Sequence, residues 1–364
     1  MGDVFLGVEP FYATQHGAAY LGDALSYLRR MERDTVDLIM TSPPFALKRK
    51  KEYGNVEDKD YVPWFIKFAV EFKRVLKDTG SLVIDIGGTW LPGQPVRSLY
   101  HFELVIALCK TLGFYLAQEF YWYNPSKLPS PAEWVTVRRI RVKDAVNPVW
   151  WLSKTPEPKA SNWRVLKPYS ESMRKLLENG YMARLRPSGH DISEHFSKDN
   201  QGAIPPNLLE LANTDSNSTY LRECRRSGIK PHPARFPHGL PEFFIKFLTE
   251  PNDLVLDPFA GSNITGEVAE RLGRRWLAFE LVEEYLEASK FRFPDVYKQF
   301  SLFGLLEGRH REPVTADHDG QDHDKQKAQE VDVKDRASQP LLIESKAEYH
   351  CETDEAVDQD PLAP

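Results

Sequence analysis

The chain has 364 residues, 41% of them hydrophobic and 27% charged, with 27 Pro and only 3 Cys. That length sustains one large or two modest domains, and the apolar content excludes global disorder. Cys109, Cys224 and Cys351 offer neither a disulfide framework nor a CxxC pair, so a reducing, cytoplasmic setting is expected. The first residues lack a basic-then-apolar leader pattern and no apolar run reaches the roughly 18 residues of a membrane span, so no membrane contact is expected.

The net charge of −6, taken whole, argues against a polyanionic partner. Its distribution argues otherwise. Residues 307–364 hold 16 acidic against 7 basic side chains without apolar periodicity, and read as a disordered acidic tail. The first 306 residues keep 40 basic against 37 acidic. Their positive charge gathers at Lys48, Arg49, Lys50 and Lys51, then at Arg138, Arg139, Arg141 and Lys143, and again between 154 and 231. Charge runs alone mark solvated faces as readily as partner sites.

In chain order, VDLIMT (36–41) predicts a strand, 64–77 an amphipathic helix, SLVIDI (81–86) a strand and 102–113 a helix stopped by Gly113. Residues 114–123 and 147–154 predict antiparallel edge strands joined by a long loop. The stretch 155–231, rich in Pro, Ser, Asn and Arg, predicts a loop-rich insert with a binding task. LVLD (254–257), a helix over 263–273 stopped by Gly273, and WLAFEL (276–281) close the series. Such alternation is the pattern of an α/β protein with a mainly parallel sheet, in which ligands bind at strand ends.

Two stretches carry chemistry. LVLDPFAGSNIT (254–265) is a strand, a Pro/Gly turn and a helix start. Asp257 would stand at the strand tip, and Gly261 would let a ligand approach the backbone. Glu280 follows Asp257 by 23 residues, the offset at which a carboxylate meets a ribose diol. Neither GxxxxGK[ST] nor GxGxxG is present, which disfavours triphosphates and dinucleotides. TSPPF (41–45) follows its strand directly, and two prolines force a turn that presents Ser42 and the Pro43 carbonyl. A hydroxyl and a carbonyl accepting both N–H bonds of an exocyclic aromatic amine would favour its nucleophilic form, with Phe45 stacked on the ring.

Together these stretches resemble the amino-directed, S-adenosylmethionine-dependent DNA methyltransferases. TSPPF is similar to their catalytic motif IV, DPFAGS to cofactor motif I, Gly22-Asp23 to motif III, FYWYNPSKLPSP to motif VIII and HPARFPHGLPEFFIKFL to motif X. Motif IV precedes motif I, as in the circularly permuted beta group. The resemblance therefore implies a permuted Rossmann-like catalytic domain in two parts, 1–153 and 232–306, a target-recognition region at 154–231, and the tail. It implies a catalytic turn of Ser42, Pro43, Pro44 and Phe45. A cofactor seat of Asp23, His232, Asp257, Pro258, Phe259, Gly261, Ser262 and Glu280 is implied with it.

The implied partner is double-stranded DNA with one base flipped out, the loop Lys48, Arg49, Lys50 and Lys51 clamping phosphates. Arg138, Arg139, Arg141, Arg184, Arg186, Lys198, Asn200 and Arg225 are further candidate contacts, with Arg–guanine pairing the expected readout. Ser at the first motif IV position points to cytosine N4, and the resemblance implies a palindromic hexamer target, CAGCTG, and a separate cognate restriction endonuclease. Carbon-5 methylation needs a Cys after Pro, whereas Cys109 follows Leu108 and Cys224 follows Glu223. No HExxH is present and no metal is expected. Adenine N6 methylation, a small-molecule or protein methyltransferase, and a non-enzymatic DNA-binding protein stay open at this point.

Overall fold

The computed structural model describes residues 6–46, 56–179, 198–214 and 218–296. Nine strands are described: β1 (Tyr12–Ala13), β2 (Gly17–Leu21), β3 (Val36–Thr41), β4 (Leu76–Asp85), β5 (Tyr115–Tyr123), β6 (Val146–Ser153), β7 (Leu208–Glu210), β8 (Leu254–Asp257) and β9 (Arg275–Glu280). The described helices are α1 (Ala24–Leu28), α2 (Asp58–Val75), α3 (Tyr100–Lys110), α4 (Glu171–Asn179), α5 (Thr219–Ser227), α6 (Gly239–Leu248), α7 (Ile264–Arg271) and α8 (Glu283–Ser289). None is long and apolar enough to cross a membrane.

All nine strands join one sheet in the order β1-β2-β9-β8-β3-β4-β6-β5-β7. The central run β2, β9, β8, β3 and β4 is parallel. β1 and β6 run against their neighbours, while β7 lies parallel to β5. Side chains alternate across the central strands, as the pleat requires. Leu254, Leu256, Leu277 and Phe279 enter one core with α1, α2 and α3. Val255, Trp276 and Ala278 enter the other with α6, α7 and α8. Helices thus cover both faces of the sheet, a three-layer mixed α/β arrangement.

Two expectations shift. α2 starts at Asp58, six residues before the sequence pattern suggests, and carries Pro63 inside it. Asp58 and Asp60 sit in its first turn, where carboxylates suit the helix N-terminus. β5 and β6 pair antiparallel as expected, yet they are not the edge: β7, from the middle segment, adds outside β5 through Tyr121, Trp122 and Tyr123. The acidic tail lies outside the described residues.

Parallel pairing needs anchors at strand starts, and Asp37 supplies one. Its carboxylate, 4% exposed, accepts the Leu254 backbone N–H at 3.0 Å and Lys77 Nζ at 2.7 Å, joining β3 to β8 and β4. Asp37→Ala strands a buried N–H, and is expected to lower stability by about 2–3 kcal/mol. Asp37→Asn should lose less, since its carbonyl can still accept from Leu254. Denaturant midpoints of the two variants check the order.

Candidate active site

The parallel strands end along one edge of the sheet, and their first loop residues line a single cleft of about 900 Å³. β2 delivers Gly22 and Asp23, β3 delivers Ser42, Pro43, Pro44 and Phe45, and β4 delivers Asp85. The loop after β8 brings Pro258, Phe259, Gly261 and Ser262, and β9 brings Glu280. Asn147 comes from antiparallel β6, whose start lies at this same edge, and His232 from the segment before α6. A cleft of this size, apolar with a few convergent polar groups, is a small-molecule site by its physics.

The cofactor-side loop is held by backbone capture. Glu280 accepts the Gly261 N–H at 2.7 Å and the Val282 N–H at 2.9 Å; burial raises its pKa above the usual carboxylate range. Gly261 has φ +53°, which favours glycine, and a Cβ there would lie 3.0 Å from the His232 ring, a tight approach. His232 itself is neutral at neutral pH, burial pushing its pKa down to about 4, and its backbone N–H donates to the Tyr220 hydroxyl at 3.0 Å. Asp23 caps α1, accepting the Ser26 N–H at 2.8 Å, and lines the cleft beside Gly22. Phe259 packs on Trp64 and Phe68, at ring separations of 5.8 and 5.1 Å.

Asp257 occupies a different place from the one expected of a ligand contact. It is 2% exposed and does not line the cleft. Its carboxylate accepts from Thr41 Oγ1 at 2.8 Å, the Phe259 N–H at 3.2 Å and Thr265 Oγ1 at 2.7 Å. Asp257 therefore fastens the end of β3 to the loop and helix after β8, from behind the wall. Ser262 is bound likewise from behind: the buried Arg292 guanidinium donates to its carbonyl at 2.6 Å and its hydroxyl at 3.2 Å.

On the catalytic side, Ser42 Oγ donates to Asp85 Oδ2 at 3.1 Å, and Asn147 Nδ2 donates to Asp85 Oδ1 at 3.2 Å. Burial pushes the Asp85 carboxyl up to about 6, opposed by the Asn147 and Ser42 hydrogen bonds and by the charge of Lys127. Phe45 lies over Gly87, where a Cβ would come within 2.6 Å of the ring. Asp85, Asn147, Gly87, Thr41 and Arg292 were not singled out from the sequence. Asp85 had a signal, an acid one residue from the end of a predicted strand; Asn147 had none.

The expected DNA contacts divide. Lys48, Arg49, Lys50, Lys51, Arg184 and Arg186 lie outside the described residues. Arg138 and Arg139 are exposed just past a π-helical turn over Glu133–Val137. Lys198 and Asn200 are exposed, as is Arg225 on α5. Arg141 differs from expectation: half-buried, it stacks over Trp90 at 4.2 Å and donates to the Pro95 carbonyl, so its planar donors brace loops.

The Asp257 anchor has a pH signature. Burial lifts its carboxyl to about 6, so it is ionised at pH 8 and protonated at pH 5. The Thr265 hydroxyl serves the ionised form. Thr265→Val is expected to cost about 2 kcal/mol at pH 8 and clearly less at pH 5, read from denaturant midpoints at both values.

The chain matches known proteins along most of its length. The sequence profile of the N6/N4 DNA methylase family matches residues 36–291. The type II methyltransferase M.PvuII of Proteus hauseri is 56% identical over 292 residues, covering 79% of this chain and 87% of that protein. The DNA adenine methyltransferase YhdJ of Escherichia coli is 26% identical, covering 80% and 86%. Among solved structures, the PvuII DNA methyltransferase, described as cytosine-N4-specific, superimposes with a TM-score of 0.66 at 47% identity, covering 81% of this chain and 95% of that one. The chain belongs to the N6/N4 DNA methylase family, as a DNA methyltransferase closely similar to the PvuII modification enzyme.

Proposed function

We propose that the chain methylates the N4 amine of a cytosine flipped out of duplex DNA, using S-adenosylmethionine, as the modification enzyme of a restriction-modification pair with a separate endonuclease. Its target in this reading is CAGCTG, and its fold a circularly permuted Rossmann-like domain, with the SPPF turn ahead of the DPFAGS loop. The observation that carries the reading is the Ser42–Asp85 hydrogen bond at the cleft, in a chain 56% identical to a PvuII methyltransferase.

The residues present suit the cofactor. Phe259 and Phe279 offer apolar walls for a purine, and the Asp23 and Glu280 carboxylates accept from amine and diol donors. When bound, S-adenosylmethionine supplies an electrophilic methyl group on a sulfonium. Ser42 has its own proton directed at Asp85, which leaves Oγ lone pairs to accept one N–H of the amine, and the Pro43 carbonyl accepts the other. This withdraws the nitrogen lone pair from the ring and readies it for attack. Ionised Asp85 favours that orientation, and offers a route for the proton the amine sheds. Phe45 stacks on the base at about 1–3 kcal/mol, offsetting part of the few kcal/mol that flipping costs. Exposed Arg138, Arg139, Lys198 and Asn200 contribute to the DNA surface in this reading.

Treating hexamer-panel duplexes with the full chain and S-adenosylmethionine, then digesting to nucleosides for mass spectrometry, is expected to yield N4-methylcytosine from CAGCTG alone. N6-methyladenine would overturn the base assignment. Ser42→Ala should lose methyl transfer while retaining cofactor binding by calorimetry. Because Asp85 must be ionised, wild-type kcat should fall as pH drops through about 6. Asp85→Asn should lower kcat by roughly 10²–10⁴ and abolish that limb of the pH profile.

A further inference from the structure

Beside the main cleft lies a smaller recess of about 200 Å³, lined by Gly88, Trp90, Arg97, Lys127, Ser130 and Asp144, and sharing Asn147 with the cleft. Most of its charge is already matched. Arg97 is ion-paired with Asp144 and lies over the Trp90 ring at 5.0 Å.

Lys127 is the exception. Its backbone is fixed: its N–H donates to the Asn124 carbonyl at 3.2 Å, and its own carbonyl accepts Lys143 Nζ at 3.1 Å. Its side chain is half-buried, and among the described residues its ammonium makes no hydrogen bond or salt bridge. It still lies near enough to Asp85 for its charge to favour that carboxylate. A cation partly withdrawn from water on a fixed backbone, with no close counter-ion among the described residues, is poised for an anionic ligand. A nucleotide whose base enters the cleft brings its phosphates to the cleft's margin through the sugar.

We infer that Lys127 binds the phosphodiester flanking the flipped-out nucleotide, with the recess as its seat. This rests on the proposed function. The lysine thereby holds the backbone of the extruded nucleotide while Ser42 and Phe45 hold its base. Phosphate contacts of this kind position DNA without reading sequence.

The test combines Lys127→Gln with duplexes carrying a single neutral methylphosphonate on either side of the target cytosine. Lys127→Gln should weaken binding about tenfold and reduce the salt slope by about one, and Lys127→Arg should restore most of it. At one flank the neutral linkage should weaken wild-type binding equally, and have no further effect on Lys127→Gln. Additive losses, or no flank at which the linkage weakens the wild type, would overturn the assignment. So would unchanged binding with a displaced pH profile of methyl transfer, which would confine Lys127 to tuning Asp85. A wild-type chain that methylates no cytosine in any duplex sinks the function instead, so the two failures are distinguishable.

Discussion

The Thr41–Asp257 hydrogen bond is the fastening on which the site depends. The catalytic turn and the loop after β8 lie on neighbouring parallel strands, and both must end at the same height for their residues to share a cleft. A buried carboxylate accepting from both sides sets that height, and with three donors it has little freedom to shift. Asp37 does the corresponding work near the strand starts through Leu254. Between these two acids the β3–β8 register is pinned at both ends, and the apolar pleat fills the interval.

The site then spends stability on polarity. Asp85 and Asp257 are both buried and both pushed up to about 6, so each carries an uncompensated part of its desolvation cost at neutral pH. Their uses differ. Asp257 turns all its acceptor capacity inward to structure, whereas Asp85 receives Ser42 and Asn147 at the cleft wall, where the hydroxyl orientation it imposes bears on chemistry. Two acids with the same burial and acidity are separated in role by what they face.

The middle segment is more closely joined to the catalytic body than a loop-rich insert would be. β7 extends the sheet, and Tyr220 of α5 accepts the His232 N–H while its ring lies under the Arg292 guanidinium at 4.2 Å. Arg292 in turn holds Ser262. A segment expected to meet DNA thus touches the same network that shapes the loop after β8.

Four of the five strands of the parallel centre, β3, β4, β8 and β9, both Gly-stopped helices and the two motif turns were readable in the sequence, because each is written in local pattern: β-branched runs, 3.6-residue periodicity, and Pro or Gly where the chain must turn. β7 was not readable, since three residues carry no periodicity and their pairing with β5 arises across more than eighty positions of chain. Nor were the partners of the motifs. Ser42 and Asp85 are 43 residues apart, Asp85 and Asn147 are 62, and Thr41 and Asp257 are 216. The sequence by itself determined which residue types stand at the strand ends and in what order. Only the tertiary structure decided that Asp257 faces Thr41 and Thr265, away from the cleft, and that Asp85 faces Ser42. Strand order and pleat phase, set by packing of the whole sheet, choose the face on which each side chain emerges.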